Sequence, residues 1–128
     1  MRIWTAEALV ATVFMVAPNT TTERLREITA VGTGFVYAAG LMGVTGSGGS
    51  LGDTAADLVR RIRTITDLPV CVGIGITNAA RAAAVASYAD GVVVGAALVR
   101  AALDAPDASA GRAVVRELVR ELAEGVRG

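Results

Sequence analysis

Four short apolar runs recur along the chain: Val13–Ala17, Phe35–Ala39, Val70–Ile74 and Gly91–Val94. Each is followed by a cluster of Gly, Pro, Ser or Thr and then by a helical pattern. The runs are continuous rather than alternating, as strands covered on both faces of a parallel sheet are. Pro18-Asn19-Thr20 leads into Thr20-x-x-Glu23, a capping-box pattern, and Leu25 and Ile28 then lie three apart on one helix face. A long glycine-rich loop, Gly43–Ser50, follows the second run. Ser50-x-x-Asp53 opens the next helix, whose Leu58, Ile62 and Ile65 fall at i, i+4 and i+7. Gly75-Ile76-Thr77 places a threonine N-cap before an alanine-rich helix reaching about Tyr88. The fourth run passes with almost no loop into a helix start at Gly95-Ala96-Ala97-Leu98. Pro106, within Asp104–Ser109, breaks the chain before a last amphipathic helix. Its Val115, Leu118, Val119 and Leu122 form a packing stripe with no cofactor box in it, while Arg116, Glu117, Arg120 and Glu121 face water.

Four β-α units in succession predict an α/β fold of parallel strands joined by right-handed crossovers. The chain has 128 residues, enough for one domain, whereas a whole eight-stranded barrel takes about 250. Four units therefore make a half-barrel or a small open sheet. Residues 1–12 read as a divergent N-terminal segment and 13–128 as the β/α body.

Composition narrows the chemistry. A hydrophobic fraction of 53% excludes disorder. Twelve basic and twelve acidic residues balance, so no charge imbalance draws the molecule to nucleic acid or to a membrane surface. Every basic residue is arginine, which removes any Schiff-base lysine, histidine base or histidine metal ligand. The single cysteine, Cys71, offers no disulfide framework and no thiol cluster for a metal, and its place in an apolar run predicts a small buried core residue. Arg2 and the apolar stretch Ala8–Ala17 superficially suggest a secretory leader, but Glu7 and Thr12 interrupt it and no cleavage site follows. No stretch approaches the roughly 20 apolar residues of a membrane span. A soluble, cytoplasmic protein is expected.

In parallel β/α architectures the functional face lies at the C-terminal ends of the strands. Three of the four loops there are glycine-rich, and backbone N–H groups in such loops and at the following helix starts hold an anion without any lysine. Gly73-Ile74-Gly75 together with Val94-Gly95-Ala96 is the best candidate phosphate seat. No Asp or Glu falls at the C-terminal end of any run. Asp67 and Asp90 precede the third and fourth runs, on the opposite face, where they form turns. Tyr37 is the one titratable side chain expected to point into a barrel interior, and it is a poor general base, suited to packing or to positioning a substrate. Thr45, in the glycine loop, is either a turn residue or a hydrogen-bond donor that closes over a ligand.

The residues Val16-Ala17-Pro18-Asn19-Thr20-Thr21, Gly34-Phe35-Val36-Tyr37, Gly43-Val44-Thr45-Gly46, Val72-Gly73-Ile74-Gly75-Ile76 and Ala89-Asp90-Gly91-Val92-Val93-Val94-Gly95 resemble, in order and spacing, the tryptophan synthase alpha subunit family. The Gly-Val-Thr-Gly loop after a tyrosine-bearing strand is the more specific match. The Asp-Gly-Val-Val-Val-Gly strand is shared with other phosphate-binding barrels. The resemblance implies the C-terminal half of a TIM-type (β/α)8 barrel, four parallel strands with covering helices. It implies cleavage of indole-3-glycerol phosphate to indole and glyceraldehyde 3-phosphate, without a cofactor in the alpha subunit, in partnership with a PLP-dependent beta subunit. On this resemblance Tyr37 lines the indole pocket, Thr45 and Gly46 sit on the loop that closes over substrate, and Gly73, Ile74, Gly75, Gly95 and Ala96 hold the phosphate.

Departures from the family matter equally. Its catalytic glutamate and aspartate belong to a segment with no counterpart in these residues, so no catalytic residue is assigned. Ala96 stands where the family usually has serine. Ala39-Gly40-Leu41-Met42 and Ser47-Gly48-Gly49 also differ, and Met1–Thr12 does not follow the family's preceding helix. Three readings follow: a lyase component inactive without acids supplied elsewhere, a non-catalytic module that seats a phosphate ester or docks on a beta subunit, or a remnant of a truncated gene copy. Each exposes barrel-interior surface and predicts self-association.

Overall fold

One parallel sheet, in the order β1-β2-β3-β4, is built from β1 (Met15–Val16), β2 (Val36–Ala39), β3 (Val70–Gly73) and β4 (Gly91–Val92). The computed structural model describes residues 10–40 and 51–128. Between and after the strands run α1 (Thr22–Val31), α2 (Leu51–Arg63), α3 (Ala79–Ala86), α4 (Ala96–Asp104) and α5 (Ala108–Arg127). The expected β-α order stands. The strands are shorter than the apolar runs, most of all β1 and β4, which are paired on one side only. The ladder nevertheless continues as single hydrogen bonds, from Tyr37 N to Phe14 O (3.1 Å) and from Val93 N to Val72 O (2.9 Å).

Alternation along the strands separates two faces. Val16, Val36, Ala38, Val70 and Val72 are buried against Leu25 of α1, Leu58, Val59 and Ile62 of α2, and Ala82 and Val85 of α3. Tyr37, Ala39, Cys71 and Gly73 point the other way and are half-buried. Met15, on that same inner face, is 63% exposed. The hydrophobic core lies between sheet and helices, and among the described residues no helix covers the inner face. Cys71 is consequently not the core residue its sequence context predicts. It lies on the inner face, its sulfur so close to Gly91 that a Cβ at that position would stand 2.7 Å from Sγ.

Local capping differs from expectation by one residue at two helices. The hydroxyl of Thr20 accepts from Ala17 N (2.9 Å) to close the turn after β1, which leaves Thr21 to cap α1 through Arg24 N. Asn78, not Thr77, caps α3, accepting from Arg81 N at 2.9 Å. Asparagine is among the strongest N-caps. α3 ends at Ala86 with Ser87 as its C-cap, so Tyr88 belongs to the turn into β4. Asp107 caps α5. Ser50 and the side chain of Asp53 lie outside the described residues. Of the expected stripe on α5, Leu122 is buried and Val115 and Leu118 are half-buried, but Val119 is exposed.

Two arginines tie distant segments together. Arg61 of α2 donates to the carbonyls of Pro18 (3.1 Å) and Thr20 (2.6 Å), fixing the turn after β1. Asp90 accepts from Val70 N (2.9 Å) and pairs with Arg63 (3.2 Å), so it joins the beginnings of β3 and β4 rather than serving only a turn. The Val70 hydrogen bond, helped by Arg63, holds the Asp90 carboxyl below its ordinary value of 3.8. Because the folded value is depressed, the stabilisation is present at neutral pH and is lost as pH falls through that folded value. Asp90→Ala should cost about 1 kcal/mol at pH 7, the low end for a hydrogen bond to a charged acceptor because the pair is nearly half exposed. Urea unfolding at pH 7 and at pH 3 checks this: the gap between variant and parent should be smaller at the lower pH, and an equal gap at both would contradict the assignment.

Close packing of α3 against α5 depends on Gly125. A Cβ on Gly125 of α5 would run into the main chain of Ala79 at the start of α3. Gly125→Ala should therefore destabilise by about 1–3 kcal/mol, although in a free helix interior the same change gains about 1 kcal/mol. Thermal unfolding decides, and a stabilised variant would show that α5 is free to shift.

Candidate functional site

The site is assembled where β2, β3 and β4 end. Ala39 is in register with Gly73, and Gly40 N donates to Gly73 O (3.1 Å). The ring of Tyr37 leans along the inner face until its hydroxyl lies over Gly73, where a Cβ would stand only 2.6 Å from Oη. Glycine at 73 thus makes room for the tyrosine. Ile74 packs its side chain over Gly40, where even a methyl group would overlap it. Gly75 has φ 67°, the left-handed region that favours glycine, and it turns the chain out of β3 toward α3. Its carbonyl accepts from Nη1 of Arg81 at 3.3 Å.

The loop after β4 is shorter and opens directly into α4. Gly95 is the N-cap, and no side chain caps this helix. A Cβ on Gly95 would meet nothing within 4 Å, and Gly95 and Ala96 are both exposed. Leu98 N and Val99 N donate to Gly95 O (3.0 and 3.1 Å), which leaves the N–H groups of Ala96 and Ala97 with neither an intrahelical partner nor a side-chain cap. Such a helix start, beside a glycine turn on the neighbouring strand, is suited to an anion.

The structure thus brings Tyr37, Gly73, Ile74 and Gly75 together and places Gly95 and Ala96 on the loop of the adjacent strand. Thr45 and Gly46 lie outside the described residues, as do Leu41 and Met42. Arg81 is a residue the sequence reading missed. Its signal was present: it stands in the first turn of the helix that follows the Gly73–Gly75 loop. The other first-turn arginine, Arg24 of α1, is paired with Glu27 (2.9 Å).

Proton-transfer chemistry is another matter. No described Asp or Glu lies at the end of β1, β2, β3 or β4 on this face. Cys71 is no substitute, because burial pushes its thiol up and Asp90 adds to the effect, the reverse of what an activated nucleophile requires. Two cavities lie away from the glycine loops. One of about 360 Å³, between the outer face of β4 and helices α4 and α5, is lined by Val92, Val94, Leu98 and Leu122 and has an apolar wall suited to packing. The other, of about 530 Å³, sits at the C-terminal ends of α1 and α2, beside Arg26 and Thr64, at the opposite end of the strands.

Parallel β/α units with a glycine-lined site at the C-terminal ends of the strands define part of a (β/α)8 barrel. The family model of the tryptophan synthase alpha chain matches residues 2–127, and the chain belongs to that family. The tryptophan synthase alpha chain of Streptomyces coelicolor is 64% identical over 118 residues, covering 92% of this chain and 44% of the relative. That of Thermobifida fusca is 52% identical over 118 residues, covering 90% and 44%. Among solved structures, tryptophan synthase from M. tuberculosis superposes with a TM-score of 0.82 at 40% identity, over 98% of this chain and 44% of that one. The tryptophan synthase α2β2 complex of Pyrococcus furiosus gives 0.76 at 34% identity, over 96% and 48%. The chain spans less than half the length of these relatives and corresponds to their C-terminal half.

Proposed function

We propose that these residues supply the phosphate- and indole-binding part of a site that cleaves indole-3-glycerol phosphate to indole and glyceraldehyde 3-phosphate. The observation that carries the reading is the Gly73–Gly75 turn set beside the uncapped start of α4, with Tyr37 lying over Gly73. In this reading the N–H groups of Gly75, Gly95 and Ala96 hold the phosphate, and Tyr37 forms a wall for the indole. Ala96 gives a backbone N–H but no hydroxyl. Thr45 and Gly46 belong to the loop over the substrate.

Retro-aldol cleavage needs one group to take a proton from the side-chain hydroxyl and another to protonate the ring carbon, and each role is worth about 10² to 10⁴ in rate. The described residues place no carboxylate to do either, so in this reading those groups come from the remaining part of the barrel. Docking on a tryptophan synthase beta subunit belongs to the same proposal, by analogy with the α2β2 assembly named for the Pyrococcus furiosus relative.

A specific observation also favours a second reading, a module that binds a phosphate ester without chemistry: the strand ends hold glycines and no acids. Thermal melting separates seat from chemistry. Millimolar sn-glycerol 3-phosphate should raise Tm by about 3 °C or more through preferential binding to the folded state, with glycerol as the neutral control. An unchanged Tm would overturn the phosphate seat under both readings. Indole release upon addition of an acid-bearing N-terminal half-barrel of the family would decide for the lyase component, and its failure there for the module.

A further inference from the structure

Resting on the phosphate seat just proposed, we infer that Arg81 is its charged anchor, a guanidinium that recognises the phosphate where the chain offers neither lysine nor histidine nor a hydroxyl at Ala96. Its position is set twice. The backbone N–H of Arg81 is fixed by the Asn78 cap (2.9 Å), and its Nη1 donates to Gly75 O (3.3 Å). The side chain therefore reaches back along the first turn of α3 onto the loop that carries the seat. A guanidinium has five N–H donors in a planar fork, and one long hydrogen bond to a carbonyl leaves the rest of the fork available.

Position and charge together single the residue out: Arg26, Arg100, Arg112, Arg116 and Arg127 also form no ion pair among the described residues, but they stand on α1, α4 and α5 and none hydrogen-bonds to the glycine turn. Among the described residues Arg24, Arg60, Arg63 and Arg120 are paired with Glu27, Asp57, Asp90 and Glu117. Arg61 is spent on the carbonyls of Pro18 and Thr20. Arg81 is exposed, forms no ion pair among the described residues, and touches the glycine turn itself. Backbone N–H groups supply partial charges, whereas a phosphate monoester carries close to two full negative charges at neutral pH. An arginine fork matches that charge and its planar pairs of oxygens.

The same contact also steadies the turn. Peptide planarity makes the Gly75 carbonyl and the Ile76 N–H point in opposite directions, so a donor on that carbonyl orients the next N–H. The two roles are separated by choice of variant. Arg81→Gln retains an N–H donor for the Gly75 carbonyl but loses the charge, and Arg81→Lys retains the charge.

The experiment is a titration of the full 128-residue chain with sn-glycerol 3-phosphate and with inorganic phosphate at two salt concentrations, for the parent, R81Q, R81K and Gly75→Val. R81Q should weaken both ligands about tenfold and flatten the salt dependence, R81K should stay within about threefold of the parent, and ligand-free Tm should be unchanged in R81Q. Equal binding by R81Q and the parent, with Gly75→Val still abolishing it, overturns the anchor and leaves the seat standing. Equal losses in R81Q and R81K overturn the charge role. Absence of binding by the parent chain overturns the seat and the anchor with it.

Discussion

Residues 1–128, supplied with indole-3-glycerol phosphate, should release indole at no more than background rate. The site as described contains binding groups and no proton-transfer groups. Two roles worth about 10² to 10⁴ each are missing, so the combined loss relative to a full-length relative such as that of Streptomyces coelicolor should be at least about 10⁴-fold. Preserved binding cannot compensate, because interactions equal in ground and transition states do not raise the rate of the chemical step. A continuous assay of indole formation checks this, and turnover within about tenfold of the full-length relative would mean that an acid of this chain reaches the substrate after all.

The second large effect is on association. The same chain should behave in light scattering as a dimer or larger species and should bind a hydrophobic dye. Met15 is 63% exposed and Val13 is 37% exposed on the inner side of β1, and beside them Tyr37, Ala39, Cys71 and Gly73 are only half covered. Among the described residues β1 and β4 each leave one strand edge unpaired, which is a template for further strand pairing. In a closed barrel of eight strands these residues fill the interior and both edges are used. A monodisperse monomer that binds no dye would contradict this account of the inner face.

Much of the fold is legible in sequence because it is governed by periodicity. Continuous apolar runs mark parallel strands, and Leu58 and Ile62 mark the buried face of α2, although Ile65 falls past its end at Arg63 and is half-buried. Glycine at 73 and 75 points to the site because the close approach of Tyr37 and a left-handed backbone have few other solutions, whereas Gly95 meets neither constraint. What escaped was set by contacts without a period. Three successive threonines, Thr20, Thr21 and Thr22, each offer a hydroxyl, and only the turn after Pro18 decides that Thr20 closes the turn while Thr21 caps the helix. Cys71 has the sequence context of a core residue, but alternation in β3 turns it to the open face. Arg61 meets carbonyls more than forty residues away, and Asp90 meets Val70 N across neighbouring strands; neither leaves a mark in local pattern. Arg81 stands in a first helical turn after a glycine loop, but its reach back to the Gly75 carbonyl is a side-chain contact that no pattern in the sequence specifies.

The central claim is that the loops after β3 and β4 jointly seat a phosphate ester, and hydrogen exchange of the chain with and without saturating sn-glycerol 3-phosphate tests it most directly. The account predicts added protection concentrated in the peptides spanning 73–79 and 93–98, with little change at the C-terminal ends of α1 and α2. Protection confined to those helix ends, or none anywhere at a concentration that saturates binding, would contradict it.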